Sequence, residues 1–265
     1  MPELPEVETV KRQISPAVKG RTILSIESKD SRNIKKISFE KFKQLVSGDK
    51  ILNIERRAKY LLFKLKSGRY MVVHLGMAGR VLLKPDKYVK IIFNLSGRKK
   101  LYFSDTRLFG KIWLYDKYPE LKLGPEPLEK SFTLKKFKEL IKSRKGNIKI
   151  ILMDQKFIAG IGNIYAAEAL FLAGIHPKRR IESLTDSEIS KLYQGIQKAL
   201  KSGIMHKGTS VTDFVGAIGE EGKNQNYLYV YGRKGKPCKK CEGSVDKITL
   251  GQRGTYFCPK CQHML

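Results

Sequence analysis

Apolar positions recur along this chain in three successive rhythms. Val7, Val10 and Ile14 fall at helical spacing behind Pro5, with Glu6 and Glu8 in the first turn, where carboxylates suit a helix N-terminus. From there to about Tyr115 the alternation has a period of two, as in Leu61/Phe63/Leu65, Tyr70/Val72, Val89/Ile91/Phe93 and Leu101/Phe103. Turns at Ser67-Gly68 and Ser96-Gly97-Arg98 punctuate it, and short strands of this kind predict a sandwich or barrel-like pair of sheets. Leu123-Gly124-Pro125-Glu126-Pro127-Leu128 then reads as an interdomain linker.

Beyond the linker the rhythm becomes helical. Leu134, Phe137, Leu140 and Ile141 form one stripe, Ile148, Ile151 and Leu152 another behind Asn147, and Ile164 to Leu172 a third that ends at Gly174 and Pro177. Thr185 and Glu188 make a capping box for a helix carrying Ile189, Leu192, Ile196 and Ala199 on one side. From Tyr227 the alternation of Leu228, Val230 and Gly232 predicts a small β-rich tail. The expected organisation is α+β and multidomain, with boundaries at 1–128, 129–226 and 227–265.

Charge narrows the partner. The chain has 265 residues, and 53 Lys+Arg against 25 Asp+Glu give a formal charge of +28, spread along its length. Such a field attracts polyanions, and nucleic acid comes first, because neutralising phosphates releases counterions and supplies sequence-independent affinity. There is no lipidation motif, isolated basic amphipathic helix or apolar run of membrane-spanning length, and no secretory pattern at the N-terminus, so a soluble intracellular protein with no membrane partner is expected.

All four cysteines lie beyond residue 237, in the pattern Cys238-x2-Cys241…Cys258-x2-Cys261. Two thiolate pairs at that spacing suit one tetrahedral, structural Zn2+ joining two knuckles; a redox dithiol or a pair of disulfides is the alternative, and His263 is near enough to compete as a ligand. Val245 to Leu250 and Thr255 to Phe257 read as hairpin strands, which puts Arg253 at an exposed tip. A zinc ribbon alone suggests only binding to nucleic acid or protein.

Two further elements carry candidate chemistry. Removing Met1 would expose the Pro2 nitrogen beside Glu3. Model α-amino groups titrate near about 7.7–8.0 against about 10.4 for lysine, and a secondary amine condensing with an aldehydic carbon must give a cationic iminium, an electron sink for later bond cleavage. Pro2 and Pro5 also suit a plain helix start. Gly160-Ile161-Gly162-Asn163 before a helix lets backbone amides approach a phosphate, and serves equally as an ordinary cap.

Pro2-Glu3-Leu4-Pro5-Glu6-Val7-Glu8-Thr9, the glycine-asparagine element, Val230-Tyr231-Gly232-Arg233 and the cysteine hairpin with Gln252-Arg253 occur in the order found in the formamidopyrimidine-DNA glycosylase (Fpg, MutM) family. The chain resembles that family over essentially its whole length. The resemblance implies an N-terminal β-sandwich with a leading helix, a helix-two-turn-helix domain and a C-terminal β-hairpin zinc finger. It implies a bifunctional DNA glycosylase and abasic-site lyase of base excision repair that acts on oxidised purines in double-stranded DNA as a monomer in the bacterial cytoplasm, at the nucleoid.

The same resemblance implies roles for residues. Pro2 attacks the sugar C1′, Glu3 is the general acid/base, Lys59 enters the site near phosphate and the damaged nucleotide, and Glu6 supports the terminus. Met77, Arg107 and Phe109 fill the void left by an everted nucleotide, and Asn163 and Arg253 clamp the flanking phosphates. Leu108 departs from the basic residue often found there. Gly216 to Gln225 matches the loop that covers the everted base, with Asn224 where an aromatic is frequent. His74 reads as structural. Two other readings remain, an endonuclease VIII-like glycosylase for oxidised pyrimidines and a non-catalytic zinc-ribbon protein.

Overall fold

The computed structural model describes residues 1–211 and 214–264. The chain forms two compact units, Met1–Leu121 with His206–Lys223, and Lys122–Met205 with the chain from Asn224 onward. Among the described residues no helix is long and apolar enough to cross a membrane.

The first unit opens with α1 (Leu4–Val18), whose first turn contains Pro5. Two antiparallel four-stranded sheets follow. One has the order β1 (Ile23–Ser28), β6 (Val89–Leu95), β7 (Lys99–Asp105), β5 (Gly79–Leu82); the other is β2 (Ile51–Arg57), β3 (Tyr60–Leu65), β4 (Tyr70–His74), β8 (Lys111–Tyr115). Val7, Val10 and Ile14 of α1 are buried in one core with Leu61, Phe63, Ile91, Phe93, Leu101 and Phe103 from both sheets. This is the predicted sandwich with its leading helix.

Two local expectations change. Tyr70 and Val72 alternate as predicted, but they cluster with Leu62 apart from the main core, which takes Met71 and Val73 from β4 instead. The stretch read as uniformly β also contains α2 (Phe39–Val46), started by Ser38, whose Oγ accepts the Lys41 N–H at 3.2 Å.

The second unit carries α3 (Leu134–Lys142), α4 (Ile148–Met153), α5 (Asn163–Ala173) and α6 (Asp186–Met205), then the hairpin β9 (Asp246–Leu250) and β10 (Arg253–Phe257). The Thr185/Glu188 box is present, with N–H donations of 2.8 Å to Glu188 Oε2 and 3.2 Å to Thr185 Oγ1. The 123–128 stretch packs with this unit, Gly124 donating its N–H to the Gln155 carbonyl at 2.8 Å.

The alternation at 228–232 forms no strand. Glu168 of α5, fully buried, accepts the N–H groups of Tyr229, Val230 and Tyr231 at 2.8, 3.0 and 2.9 Å, so those donors are spent on one carboxylate rather than a ladder. Burial pushes the Glu168 carboxyl above the ordinary range, against the pull of those three bonds.

Candidate active site

Pro2, Glu3, Glu6, Lys59, Met77, Arg107 and Phe109 all belong to the first unit, whereas Asn163, Arg253 and the four cysteines belong to the second. At the terminus, Met1 is exposed and Pro2 buried. Glu3 and Glu6 are only 2% and 1% exposed. Glu6 works with both oxygens: Oε2 accepts the Glu3 N–H at 2.8 Å, and Oε1 accepts the Thr209 N–H at 2.8 Å. The 206–223 segment reaches this carboxylate through Gly208, at φ +88, where an added Cβ would lie 2.7 Å from Phe214 and 3.1 Å from Glu6. Glu6 thus fixes the backbone beside Pro2 to a segment some two hundred residues distant in sequence.

Glu8, two residues on, ties the same helix to the β2–β3 turn. Its Oε2 accepts Arg56 Nε–H at 3.0 Å, and Arg56 also donates from Nη1 to the Ala58 carbonyl at 3.1 Å, next to Lys59. Ala58 takes a positive φ of 52° in that turn, and Lys59 is 6% exposed. Burial would raise the Glu8 carboxyl, but hydrogen bonds from Lys11 and Arg12 and the charges of Lys11 and Arg56 outweigh it, and the net direction is downward. A depressed carboxylate stabilises the fold above its unfolded value and ceases to do so as pH falls through the folded one. Glu8→Gln is therefore expected to flatten the loss of stability below pH 4.5, the ordinary glutamate value, in urea unfolding followed across pH.

Met77 and Phe109 are 42% and 51% exposed, and Arg107 is exposed between them in sequence. Their loops meet at Gly76, φ +60, where an added Cβ would lie 2.5 Å from the Phe109 carbonyl. Asp105, fully buried, shapes the second loop. Its Oδ1 accepts the N–H groups of Arg107 and Leu108, both at 3.0 Å, and its Oδ2 accepts Gly110 N–H at 2.7 Å and Asn33 Nδ2–H at 3.0 Å. Leu108 is held at a φ of 58°. Asp105→Ala leaves those donors unsatisfied, and we expect a loss of about 2–4 kcal/mol in denaturant unfolding.

His74 accepts the Gly76 N–H at Nδ1, 3.1 Å away, and stacks obliquely on Tyr60. Burial first, then the positive charges of Lys59 and Lys111, bring its pKa down to about 4, so the ring is neutral at pH 7. The glycine-rich 216–222 segment is anchored rather than free-standing. Ala217 is fully buried, its N–H donating to Gln13 Oε1 at 2.6 Å and its carbonyl accepting Leu83 N–H at 2.8 Å. Asn224 is buried in the second unit, its Oδ1 accepting Ser202 Oγ–H at 3.1 Å.

In the second unit, Asn163 opens α5 and binds the hairpin, donating Nδ2–H to the Gly254 carbonyl at 3.0 Å. Its Oδ1 accepts from Lys149 Nζ at 2.6 Å, and the same ammonium donates to Thr255 Oγ1 at 2.6 Å. Lys149 is fully buried. It is the charged residue within the otherwise apolar α4 sequence Ile-Lys-Ile-Ile-Leu-Met, and a lone lysine in such a run is a sequence signal that the apolar stripe alone does not capture. The hairpin turn is Gly251-Gln252, and Arg253 begins β10, exposed beside Gly254.

The four cysteine Sγ atoms lie within 4.8 Å of one another, with Cys238–Cys261 at 3.8 Å and Cys241–Cys258 at 3.5 Å. Zn–S bonds of about 2.3 Å in a tetrahedron require edges of about 3.8 Å, so the donor set fits a closed Zn2+ site. His263 stands outside that cluster, bridged through its backbone to Ile175. The metal is structural, four thiolates leaving no open position for chemistry.

Comparison with known proteins agrees with this arrangement along the chain. Residues 1–112 match the formamidopyrimidine-DNA glycosylase N-terminal domain, 123–215 the formamidopyrimidine-DNA glycosylase H2TH domain, and 235–263 the zinc finger found in FPG and IleRS. A formamidopyrimidine-DNA glycosylase of Pelotomaculum thermopropionicum is 43% identical over 273 residues, covering 99% of each chain. The MutM (Fpg) protein of Thermus thermophilus superposes with a TM-score of 0.90 at 38% identity, covering 98% of each chain. A Lactococcus lactis FPG variant bound to Fapy-dG-containing DNA gives 0.90 at 35% identity, over 99% of this chain and 100% of that one. This chain belongs to the formamidopyrimidine-DNA glycosylase family, the DNA glycosylases of base excision repair.

Proposed function

We propose that this chain excises oxidised purines, 8-oxoguanine and formamidopyrimidines, from double-stranded DNA and then cleaves the strand, with the Pro2 amine as nucleophile once Met1 is removed. The observation that carries this is the pair of buried carboxylates, Glu3 and Glu6, at a proline-bearing terminus. Glu3 and Glu6 form the capping box of α1, but a helix cap needs neither carboxylate to be buried, and burying two is costly.

In this reading the Pro2 nitrogen bonds to C1′ as the glycosidic bond breaks and the base leaves with its electrons and a proton. Glu3 protonates O4′ as the sugar ring opens, leaving an iminium at C1′. Loss of a C2′ proton then expels the 3′ phosphate, and a second elimination expels the 5′ phosphate. Water releases the sugar remnant and regenerates the amine.

Glu6 is the positioning residue, holding the Glu3 backbone to Thr209. Lys59, in the turn that Arg56 fastens to Glu8 of α1, neutralises nearby phosphate. The nucleotide must leave the stack for C1′ to be reached. Exposed Phe109 and Met77 suit the wedge and void-filling roles, and Arg107 the orphaned cytosine. Asn163 and Arg253 take phosphates, with Arg253 placed by the zinc hairpin. The division of labour follows 1–128 for chemistry and 129–226 and 227–265 for holding DNA. One chain carries nucleophile and clamp, which supports a monomer working in the bacterial cytoplasm at the nucleoid.

The test offers duplexes carrying 8-oxoguanine opposite cytosine or an oxidised pyrimidine, with borohydride present. The reading expects preferential trapping and cleavage with the oxidised purine. A preference for the pyrimidine duplex transfers the assignment to endonuclease VIII-like specificity, and binding to undamaged DNA without any adduct makes the chain non-catalytic.

A further inference from the structure

The outer face of the β2-β3-β4-β8 sheet is left unused by the glycosylase reading. Strand register places Tyr60, Trp113 and Tyr115 on it, above the buried cluster of Leu62, Tyr70 and Val72. Tyr60 and Trp113 lie with ring centroids 6.3 Å apart, and the three rings are half-buried, each keeping part of its surface open to solvent. Tyr118, 48% exposed, meets Tyr70 edge-on at 5.3 Å and extends the apolar area. Trp113 is the chain's only tryptophan.

Cations frame these rings. Lys64 and Lys111 share the face by register, and Lys36 stands 5.4 Å over the Tyr115 ring. None of the three has an ion-pair partner among the described residues. The nearby acids are Glu55, on the β2 edge within 3.5 Å of Asn53 Nδ2, and Asp116, paired with Arg69 at 3.4 Å. The surface is therefore aromatic and net basic. Rings spaced across a four-stranded sheet with lysines between them are suited to unpaired bases, whose π-faces stack without regard to sequence while the phosphates meet the ammonium groups. A duplex, with its bases already stacked, could use the cations but not the rings.

We propose that this sheet face binds single-stranded nucleic acid independently of sequence, stacking bases on Tyr60, Trp113 and Tyr115 and pairing phosphates with Lys36, Lys64 and Lys111. The end of the sheet that carries Tyr60 and Lys111 is also the end from which the Lys59, Met77 and Phe109 turns emerge. An unpaired strand held there adjoins those turns within the same unit. The proposal does not rest on the glycosylase assignment and survives its failure.

Trp113 makes the test direct. The zinc-loaded full chain is titrated with lesion-free oligothymidylate while tryptophan fluorescence is followed. Saturable quenching is expected, with a midpoint that rises with salt. Tyr115→Ala and Lys64→Glu should each raise that midpoint by about tenfold, in the range a stacked aromatic or a phosphate contact supplies, with cleavage of lesion duplex unchanged. Lys64→Glu, on a half-buried strand position, keeps the test valid if Tyr115→Ala fails to fold. Oligothymidylate binding seen by anisotropy without a change at Trp113 overturns the proposal. So does quenching that Lys64→Glu leaves intact, or quenching that tracks protein concentration alone and reports a second copy on this face.

Discussion

Pro2→Gly is expected to lower strand cleavage at an oxidised purine by at least about a thousandfold while leaving binding to the same duplex within about a factor of three. The replacement changes a secondary amine into a primary one and frees the backbone that Pro2 restricts. A primary amine forms an imine that must be protonated before it serves as an electron sink, whereas the proline adduct is cationic from the outset. Glu3→Gln should cost about a hundredfold to ten-thousandfold in the chemical step, since it removes the proposed proton donor without changing volume. Glu6→Gln makes an informative partner. It keeps one acceptor where Glu6 now has two in use, on Glu3 and Thr209, so its defect should combine activity with stability. Single-turnover kinetics beside thermal unfolding separate the two.

Zinc removal should have the second large effect. Four thiolates close the base of the β9–β10 hairpin, and structural zinc supplies folding free energy directly, so chelation is expected to disorder that hairpin. Two consequences reach beyond the metal. Arg253 loses its placement, and Lys149 loses the Thr255 hydroxyl that accepts its proton. A buried ammonium deprived of a partner is destabilising. We expect DNA affinity to fall by at least about tenfold on chelation, and the slope of log affinity against log salt to decrease by about one in Arg253→Ala. Zinc re-addition to the unsubstituted chain should restore the affinity. Full activity in zinc-free folded protein would contradict the structural assignment.

What could be read from the sequence followed the range of the interactions concerned. The cysteine spacing, the Thr185/Glu188 box and the helix start behind Asn147 were legible because each partner lies within a few residues. The helix Phe39–Val46 was masked because it is only 8 residues long and set between strands, although Ser38 followed by Phe39, Phe42 and Val46 carries the helical signal. Tyr227 to Gly232 alternates like a strand, yet its donors go to Glu168, a residue some sixty positions earlier. Asp105 is hidden only in part: Arg107, Leu108 and Gly110 lie close by in sequence, but Asn33, which holds its other side, is 72 positions away. Lys149 is the clearest case. Its apolar neighbours place it in a core, but only the fold shows Asn163 and Thr255 waiting for the ammonium.

For Pro2 itself the sequence shows only a possible amine, and its local geometry only a fixed, carboxylate-lined terminus. The central claim is a covalent bond between that nitrogen and C1′, and peptide mapping by mass spectrometry of the borohydride-trapped complex tests it most directly. The account predicts a peptide that begins at Pro2, without Met1, and carries the reduced sugar remnant on its N-terminal nitrogen. An adduct on Lys59 or any other lysine, or active protein that retains Met1, would contradict it.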